Sequence, residues 1–534
     1  MSAEPAPNAA PPLSRSPMLS DRQGFDRRWF APNLQIVFTP SDAAGVVKAM
    51  TQAIQAGYQP GQIQITCGRH CYESFVYTAN TRCIIDMTGL RSYGYDNNLG
   101  YFMDVGNGNW DMYQTLNNVY GRTLPAGSCY SVGLGGHITG GGYGLLSRLY
   151  GLVIDHLTAA DIVVMVAGAA STPTLVTCSA AQNQDLYWAV RGGGGGNFGI
   201  ITRYYFANPP VSPQRMYVST LSLPWSNITS ASLLQQYLDA FAQYDVIQAP
   251  NNMFSIFHLN HQAAGAMSMS TFRYYDTALH GEQADFEDEV TNHVKVQRQR
   301  YEAIGPLSNE PAPHIGHPAW MADNAPLLPA PDISYRHYTY LEGTQQVNGS
   351  GPNRYGKYKS AYMKKPFPAD QVGALYYHLQ RVPNGVPASD MAQSLCQVDS
   401  YGGAINTYPA TATAVPQRSS IIKLQYQTYW DNASPVGSDD PAQAAAHLDW
   451  INRMYADVYA AYGGFPDPAK DPSGTVDGCY YNYCDSALGV NGSGTPGIDH
   501  AMRLYFLGNY PALKTVKARW NPLDWFKSAQ SIPV

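Results

Sequence analysis

Two stretches of the 534-residue chain are glycine-dense enough to do chemistry with bare backbone. The first is Gly133-Leu134-Gly135-Gly136-His137-Ile138-Thr139-Gly140-Gly141-Gly142-Tyr143-Gly144, and the second is Arg191-Gly192-Gly193-Gly194-Gly195-Gly196-Asn197-Phe198-Gly199. Residues without a Cβ let N–H groups converge on an anion and let the chain approach a ligand closely, and a diphosphate is the usual occupant. Neither stretch fits GxxxxGK(S/T), and neither is a GxGxxG that opens a long helix after a strand. That disfavours both a P-loop and a Rossmann site. A linker reading is open to any glycine run, but linkers rarely interleave His, Tyr, Phe and apolar residues in this way. The other reactive cluster is Cys67-Gly68-Arg69-His70-Cys71. There is no CxxC pair, and a zinc site would need a further ligand pair in zinc spacing that the sequence lacks, so no metal is expected.

The order of motifs is more specific than any one of them. GRHCYESF (68–75), PAGSCYSVGLGGHITGGGYG (125–144), DLYWAVRGGGGGNFGI (185–200) and YYNYCDSALG (480–489) resemble the berberine bridge enzyme-like FAD-linked oxidases of the vanillyl-alcohol-oxidase fold. The closing segment 505–533 resembles the way members of this group end, and AINTYPATATAVPQRSSIIK (404–423) resembles its sugar and glycopeptide hexose oxidases. The resemblance implies an α+β chain with a two-part, PCMH-type FAD-binding domain (25–207 and 476–534). Between the two parts it implies a substrate domain (208–475) with an antiparallel sheet covered by helices. It also implies FAD tethered twice, by His70 to the 8α-methyl and by Cys129 to C6 of the ring. Nucleophilic N and S attacking electrophilic flavin carbons is reasonable chemistry, and two tethers should raise the flavin potential. The rest of the implied flavin-binding set is Gly68 and Arg69 beside His70; Val132, Gly133, Gly135, Gly136, His137, Gly140, Gly141 and Gly142 after Cys129; Gly196, Asn197, Gly199 and Ile200; and Tyr481 and Asn482.

The reaction implied is hydride transfer from a substrate carbon to flavin N5 while a base takes the hydroxyl proton. The segment Tyr480-Tyr481-Asn482-Tyr483 resembles the family's YxNY motif, whose second Tyr, here Tyr483, is the candidate base. A phenol with pKa near 10 needs a cation or hydrogen bonds to act near neutrality, and the sequence does not identify that group. Tyr143, Tyr362 and Asn406 match positions that face the pocket in related oxidases. Val132 matches the position where a small side chain leaves room for O2, which favours an oxidase releasing H2O2. The expected substrate is a sugar oxidised at a hemiacetal or alcohol carbon, an aldose giving a lactone. The alternatives are a tailoring oxidase of a secondary metabolite and an oxidase of an aromatic, monolignol-type alcohol. A C–C bond-forming cyclase ranks below these, because Ser400–Ala410 holds no Glu to serve as its base.

Elements must position these residues. Ser41–Gly57 reads as a helix, Gln62–Thr66 and Cys83–Met87 as strands around the Gly68–His70 loop, and Tyr101–Val105 as a strand followed by a helix near Trp110–Val119. Ala159–Ala167, Leu175–Cys178 and Phe198–Phe206 read as strands, and Gln184–Val190 as a short helix. Beyond Asn208-Pro209-Pro210, helical patterns (230–244, 279–303, 369–380, 441–462) alternate with strands at Met253–Leu259, Ala266–Tyr275 and Ser419–Trp430. Residues 1–24 read as a disordered Pro/Ala-rich tail without an export signal, which leaves localisation open. Charged residues make up only 13% of the chain, the net charge is −6, and there are 40 tyrosines against 16 Phe and 9 Trp. Such a balance argues against nucleic acid or an anionic membrane as partner, since both select clustered Lys and Arg. It suits a neutral small molecule, with aromatic rings stacking on sugar C–H faces or on an aromatic alcohol.

Overall fold

In a computed structural model, residues 13–166, 172–308, 335–347, 353–430, 440–488 and 497–534 are described. Short apolar runs near the N-terminus pair into a four-stranded sheet in the order Ser14–Arg15, Ile36–Phe38, Cys83–Asp86, Ile63–Thr66. Its last two pairs are parallel, with Val37 opposite Ile84 and Ile65 opposite Ile85, and its first is antiparallel. The helix Ala43–Gln55 starts one residue later than Ser41 would cap it, because the Asp42 side chain accepts the Gly45 N–H at 2.7 Å. A five-stranded antiparallel sheet follows in the order Tyr93–Asp96, Gly100–Asp104, Ile200–Phe206, Leu157–Val164, Thr174–Ser179.

The remainder of the chain supplies a seven-stranded, wholly antiparallel sheet. Its order is Tyr335–Thr339, Arg215–Pro224, Ala266–Tyr275, Met253–Asn260, Leu395–Ser400, Ile422–Trp430, Tyr355–Met363. Gln283–Ile304 and Pro441–Val458 pack on it, Ala231–Ala240 and Ala369–His378 pack against each other and on those two helices, and the short helices Tyr340–Gln346 and Ala388–Met391 also touch it. Ala231–Ala240 runs on as a π-helical segment, Phe241–Ile247. At residues 476–478 the chain leaves this sheet along the Tyr355–Met363 strand, where the Tyr362 amide donates to the Gly478 carbonyl at 2.9 Å. The C-terminal residues then close on the second glycine cluster: Asn521 Nδ2 donates to the Asn197 carbonyl (3.1 Å), and the Ile532 amide donates to Asn197 Oδ1 (2.8 Å). The protein is thus α+β, with mixed and antiparallel sheets and helices.

One expectation is corrected. The tail read as disordered to residue 24 is ordered from Leu13 onward, while residues 1–12 lie outside the described set. Ser14 pairs with Phe38, and buried Asp21 takes ion pairs from Arg15 and Arg69. A carboxylate satisfied by two guanidiniums holds this segment down, and composition alone does not show such a tie.

Candidate active site

A cavity of about 340 Å³ lies where the glycine loops meet the polar face of the large sheet. Gly68 and Gly133 form part of its floor and touch backbone to backbone. A Cβ on Gly68 would collide with the Gly133 amide, and one on Gly133 with Cys67 Sγ. Gly136 and Gly196 differ in that nothing lies within 4 Å of the Cβ either would carry, and Gly196 holds φ +72°. Bare main chain facing open space on the helix Leu134–Thr139 and on the second glycine loop is a cradle that side chains would fill, and it fits the elongated, diphosphate-containing FAD. Gly135, Gly199 and Ile200 also line the cavity. Gly140, Gly141 and Gly142 do not line it. They lead the chain from the helix Leu134–Thr139 to Tyr143, with the Asn482 amide packed on Gly140.

His70 and Cys129 lie on the cavity wall. The His70 ring stacks on Phe25 (centroids 4.8 Å apart), and its Nε2 is 2.6 Å from Ser131 Oγ, two residues past Cys129. Burial pushes the His70 pKa down to about 4, so the imidazole is neutral and nucleophilic at physiological pH. The Cys129 loop is pinned by residues the sequence did not single out. Asn109 Nδ2 donates to the Gly127 and Cys129 carbonyls (3.1 Å each), and Tyr113 Oη donates to the Gly127 carbonyl at 3.0 Å.

Other members of the expected set line the cavity while serving the loops. His137 Nε2 accepts the Gly127 N–H at 2.9 Å, and burial lowers its pKa to about 4. Arg69, at φ +60°, spends its guanidinium on Asp21 (3.1 Å) and Asp86 (2.6 Å). Asn197 Nδ2 donates to the Gly193 carbonyl at 3.0 Å and to Tyr481 Oη at 3.2 Å. Asn482 Nδ2 donates to the His137 carbonyl at 2.9 Å and to Tyr480 Oη at 3.1 Å. Val132 lies on the wall beside Cys129.

On the sheet side, Tyr483 and Tyr143 face the cavity. Lys423, wholly buried, stands over both rings, its Nζ 3.9 Å from the Tyr483 centroid and 4.4 Å from that of Tyr143. Its partner is Asp399 at 3.4 Å, and Gln397 Nε2 donates to Asp399 at 2.7 Å; both residues line the cavity. Burial lowers Lys423 to about 8 and raises the Asp399 carboxyl. Burial also pushes Tyr483 well above the ordinary tyrosine value, with Tyr72 and Asp399 adding to the rise. The Lys423 ammonium therefore stands close to the face of the Tyr483 phenol, where a positive charge favours the phenolate. Tyr72, unmarked by the sequence reading, lines the same cavity, stacks on Tyr358 (3.6 Å) and lies 6.0 Å from Tyr483. Tyr362 and Asn406 are outside the cavity lining. Tyr362 packs edge-on against Tyr401 (5.1 Å), and Asn406 Nδ2 donates to the Ser420 carbonyl at 2.9 Å.

Comparison with known proteins extends this geometry. A family model for an FAD binding domain matches residues 34–170, and one described as berberine and berberine like matches 479–533. Hexose oxidase of Chondrus crispus is 39% identical, the match covering 98% of this chain and 95% of the relative. The chain belongs to the berberine bridge enzyme-like family of FAD-linked oxidases. Aclacinomycin-N/aclacinomycin-A oxidase of Streptomyces galilaeus is 33% identical over 96% of this chain and 87% of its own length. Among solved structures, a glycopeptide hexose oxidase complexed with teicoplanin superposes with a TM-score of 0.79 at 27% identity, covering 96% of both chains. The berberine bridge enzyme-like chain is an FAD-dependent oxidoreductase that acts on a small molecule with oxygen as acceptor.

Proposed function

We propose that this enzyme carries FAD bound covalently through His70 and Cys129 and oxidises a hemiacetal or alcohol carbon of a mono- or oligosaccharide, an aldose leaving as its lactone. The observation that carries the reading is the meeting, in one cavity, of His70 and Cys129, the bare main chain at Gly136 and Gly196, and Tyr483 and Asp399, with Lys423 packed behind the Tyr483 ring. When bound, the flavin supplies the acceptor for two electrons and the carbon-bound hydrogen, and O2 receives both electrons with two protons to give H2O2.

The protein's own part is acid–base chemistry and binding. Tyr483 Oη takes the substrate hydroxyl proton, and the Lys423 ammonium favours the phenolate that burial opposes. Asp399 keeps Lys423 in place and, with Gln397, offers acceptors and donors to further hydroxyls. The rings of Tyr72 and Tyr143 supply faces for sugar C–H surfaces. Ser131 engages His70 Nε2, which leaves Nδ1 as the nitrogen for the flavin tether. Val132 keeps the wall beside Cys129 small enough for O2.

A tailoring oxidase of a natural product is the second reading. It is favoured by the 33% identity to an aclacinomycin oxidase and by the apolar patch that Phe254 and Ile256 add to the cavity. One protocol tests both. The purified protein should be yellow and stay yellow after acid precipitation, and H2O2 release is then measured on aldoses, oligosaccharides, aromatic alcohols and glycosylated aromatics. A colourless precipitate sinks the covalent flavin, and turnover of the last two classes alone moves the assignment to the second reading. His70→Ala and Cys129→Ala should each leave a single linkage with an altered flavin spectrum.

A further inference from the structure

A buried ionic cluster lies behind the cavity and lines none of it. Asp26, Glu73 and Asp485 supply three negative charges, and Arg28, Lys357 and Lys359 supply three positive ones. The Glu73, Lys357, Lys359 and Asp485 side chains are each at most 2% exposed. Lys357 Nζ contacts both Glu73 Oε1 and, at 2.6 Å, Asp485 Oδ1, while Lys359 takes the other Asp485 oxygen. The Ser486 amide also donates to Glu73 Oε1 at 3.1 Å. Arg28 adds a hydrogen bond to the Tyr72 carbonyl at 2.9 Å and lies 3.5 Å from Glu73 Oε2.

The places of these charges in the chain give the cluster its meaning. Glu73 is three residues past His70, and Asp485 is two past Tyr483. Side chains alternate along the strand Tyr355–Met363, so Tyr358 turns to one face to stack on Tyr72 while Lys357 and Lys359 turn to the other. The His70 and Tyr483 loops are therefore joined twice, through aromatic rings on the cavity side and through Lys357 on the far side. Burying six charges is costly, and stability alone would be served as well by apolar packing. Directional contacts of fixed length do what apolar packing cannot: they set the distance between two loops.

We propose that Lys357, with Glu73 and Asp485, positions the Tyr483 base relative to the His70 loop. This rests on the roles given above to Tyr483 and His70. Displacing a reacting group by about 1 Å can cost up to about a hundredfold in rate. The test is a double-mutant cycle on the holoenzyme. Glu73→Gln with Lys357→Met removes one charge of each sign and leaves Asp485–Lys359 and Asp26–Arg28 paired. This variant should lower kcat about tenfold with KM within about twofold. In a Tyr483→Phe background the same pair should cost less than about twofold, because the group being positioned is gone.

A loss that multiplies fully with that of Tyr483→Phe, or an unchanged kcat, overturns the proposal. Wild-type turnover in Tyr483→Phe alone would instead refute the base assignment, which is a separate failure. Should the paired variant not fold, Glu73→Asp keeps the charge and retracts it by one methylene. It should fold and lower kcat several-fold with KM held, and wild-type kcat in that variant overturns the proposal equally.

Discussion

At the flavin-side wall, Gly68 and Gly133 meet main chain to main chain, and Gly136 and Gly196 leave backbone bare toward the cavity. At the sheet wall, chemistry arrives on long side chains: Lys423, Asp399 and Gln397 from two paired strands and Tyr483 from the loop beyond them. The first wall uses the absence of atoms, so its residues must be consecutive and their identity is nearly fixed. The second uses the reach of atoms, so its residues are scattered and each can be altered at more modest cost. The largest predicted effect lies on the first wall. Gly68→Ala forces a Cβ into the Gly133 amide, which cannot swing aside, and should cost at least about 4 kcal/mol, leaving little holoenzyme. Gly136→Ala meets no protein atom, so it should fold with wild-type thermal stability yet bind less flavin. Thermal unfolding and the 450 nm to 280 nm absorbance ratio separate the two, and equal behaviour of both variants would dissolve the contrast.

On the sheet wall the largest effect should come from Tyr483→Phe. Removing a positioned general base costs about 10²–10⁴ in rate. The loss should fall on kcat, with KM changed little, in a peroxide-release assay on the best substrate. Turnover within about threefold of wild type would move the base to another group, with Asp399 next in line because it faces the same cavity.

How much of this was legible follows the same division. The glycine loops stand out in the sequence because a backbone cradle confines its demands to adjacent positions, while the resemblance alone marks His70 and Cys129, which line the same cavity. Lys423 and Asp399 could not be read, since antiparallel register brings together residues 24 apart, and a charged side chain in a strand reads as a solvent face. Lys357 and Lys359 hid in the same way inside KYKSAYMKK, a segment not marked as a strand although every residue of Tyr355–Met363 is buried. Six of the nine described strands before residue 207 are legible in the sequence; Ser14–Arg15, Ile36–Phe38 and Tyr93–Asp96 are short or polar, and Arg215–Pro224 and Leu395–Ser400 carry polar residues that break an apolar run. Tyr362 and Asn406 were placed by resemblance and lie beside the cavity lining rather than in it. The ordered segment from Leu13 depends on Arg69, 48 residues from Asp21, a tie no local pattern reveals.

A smaller effect should follow from Lys423→Met. Losing a cation above the Tyr483 ring removes about 1–2 kcal/mol of help to the phenolate, or roughly tenfold in kcat/KM. The direction with pH is specific. In the wild type, kcat/KM should rise with pH as Tyr483 ionises and then level or fall above about 8, where Lys423 gives up its proton. In the variant the rising limb should move to higher pH and the feature near 8 should vanish. A pH profile that keeps its shape in Lys423→Met would show that the ammonium does not act on the base.

The smallest effect on turnover is expected on the other face of the same sheet, which makes it the control for the whole comparison. Asp245 is fully buried there, accepting hydrogen bonds from Gln297 and, at 2.7 Å, from Tyr301. Thr271, which shares Gln297, alternates with Ser270, the cross-strand partner of Ile256 in the cavity wall, so Asp245 lies on the helix-covered side. Burial raises its pKa to about 6. A carboxyl whose folded pKa exceeds its unfolded value binds its proton more tightly when folded. Its contribution is therefore complete below about pH 4 and is lost as pH rises through about 6. The shift is worth about 2–3 kcal/mol. Asp245→Asn does not titrate, so its stability deficit against wild type in urea unfolding should shrink by about that amount between pH 4 and pH 7. Its kcat should stay within about twofold of wild type at either pH. A deficit independent of pH would refute the titration, whereas a tenfold drop in kcat would show that the two faces of the sheet are not independent.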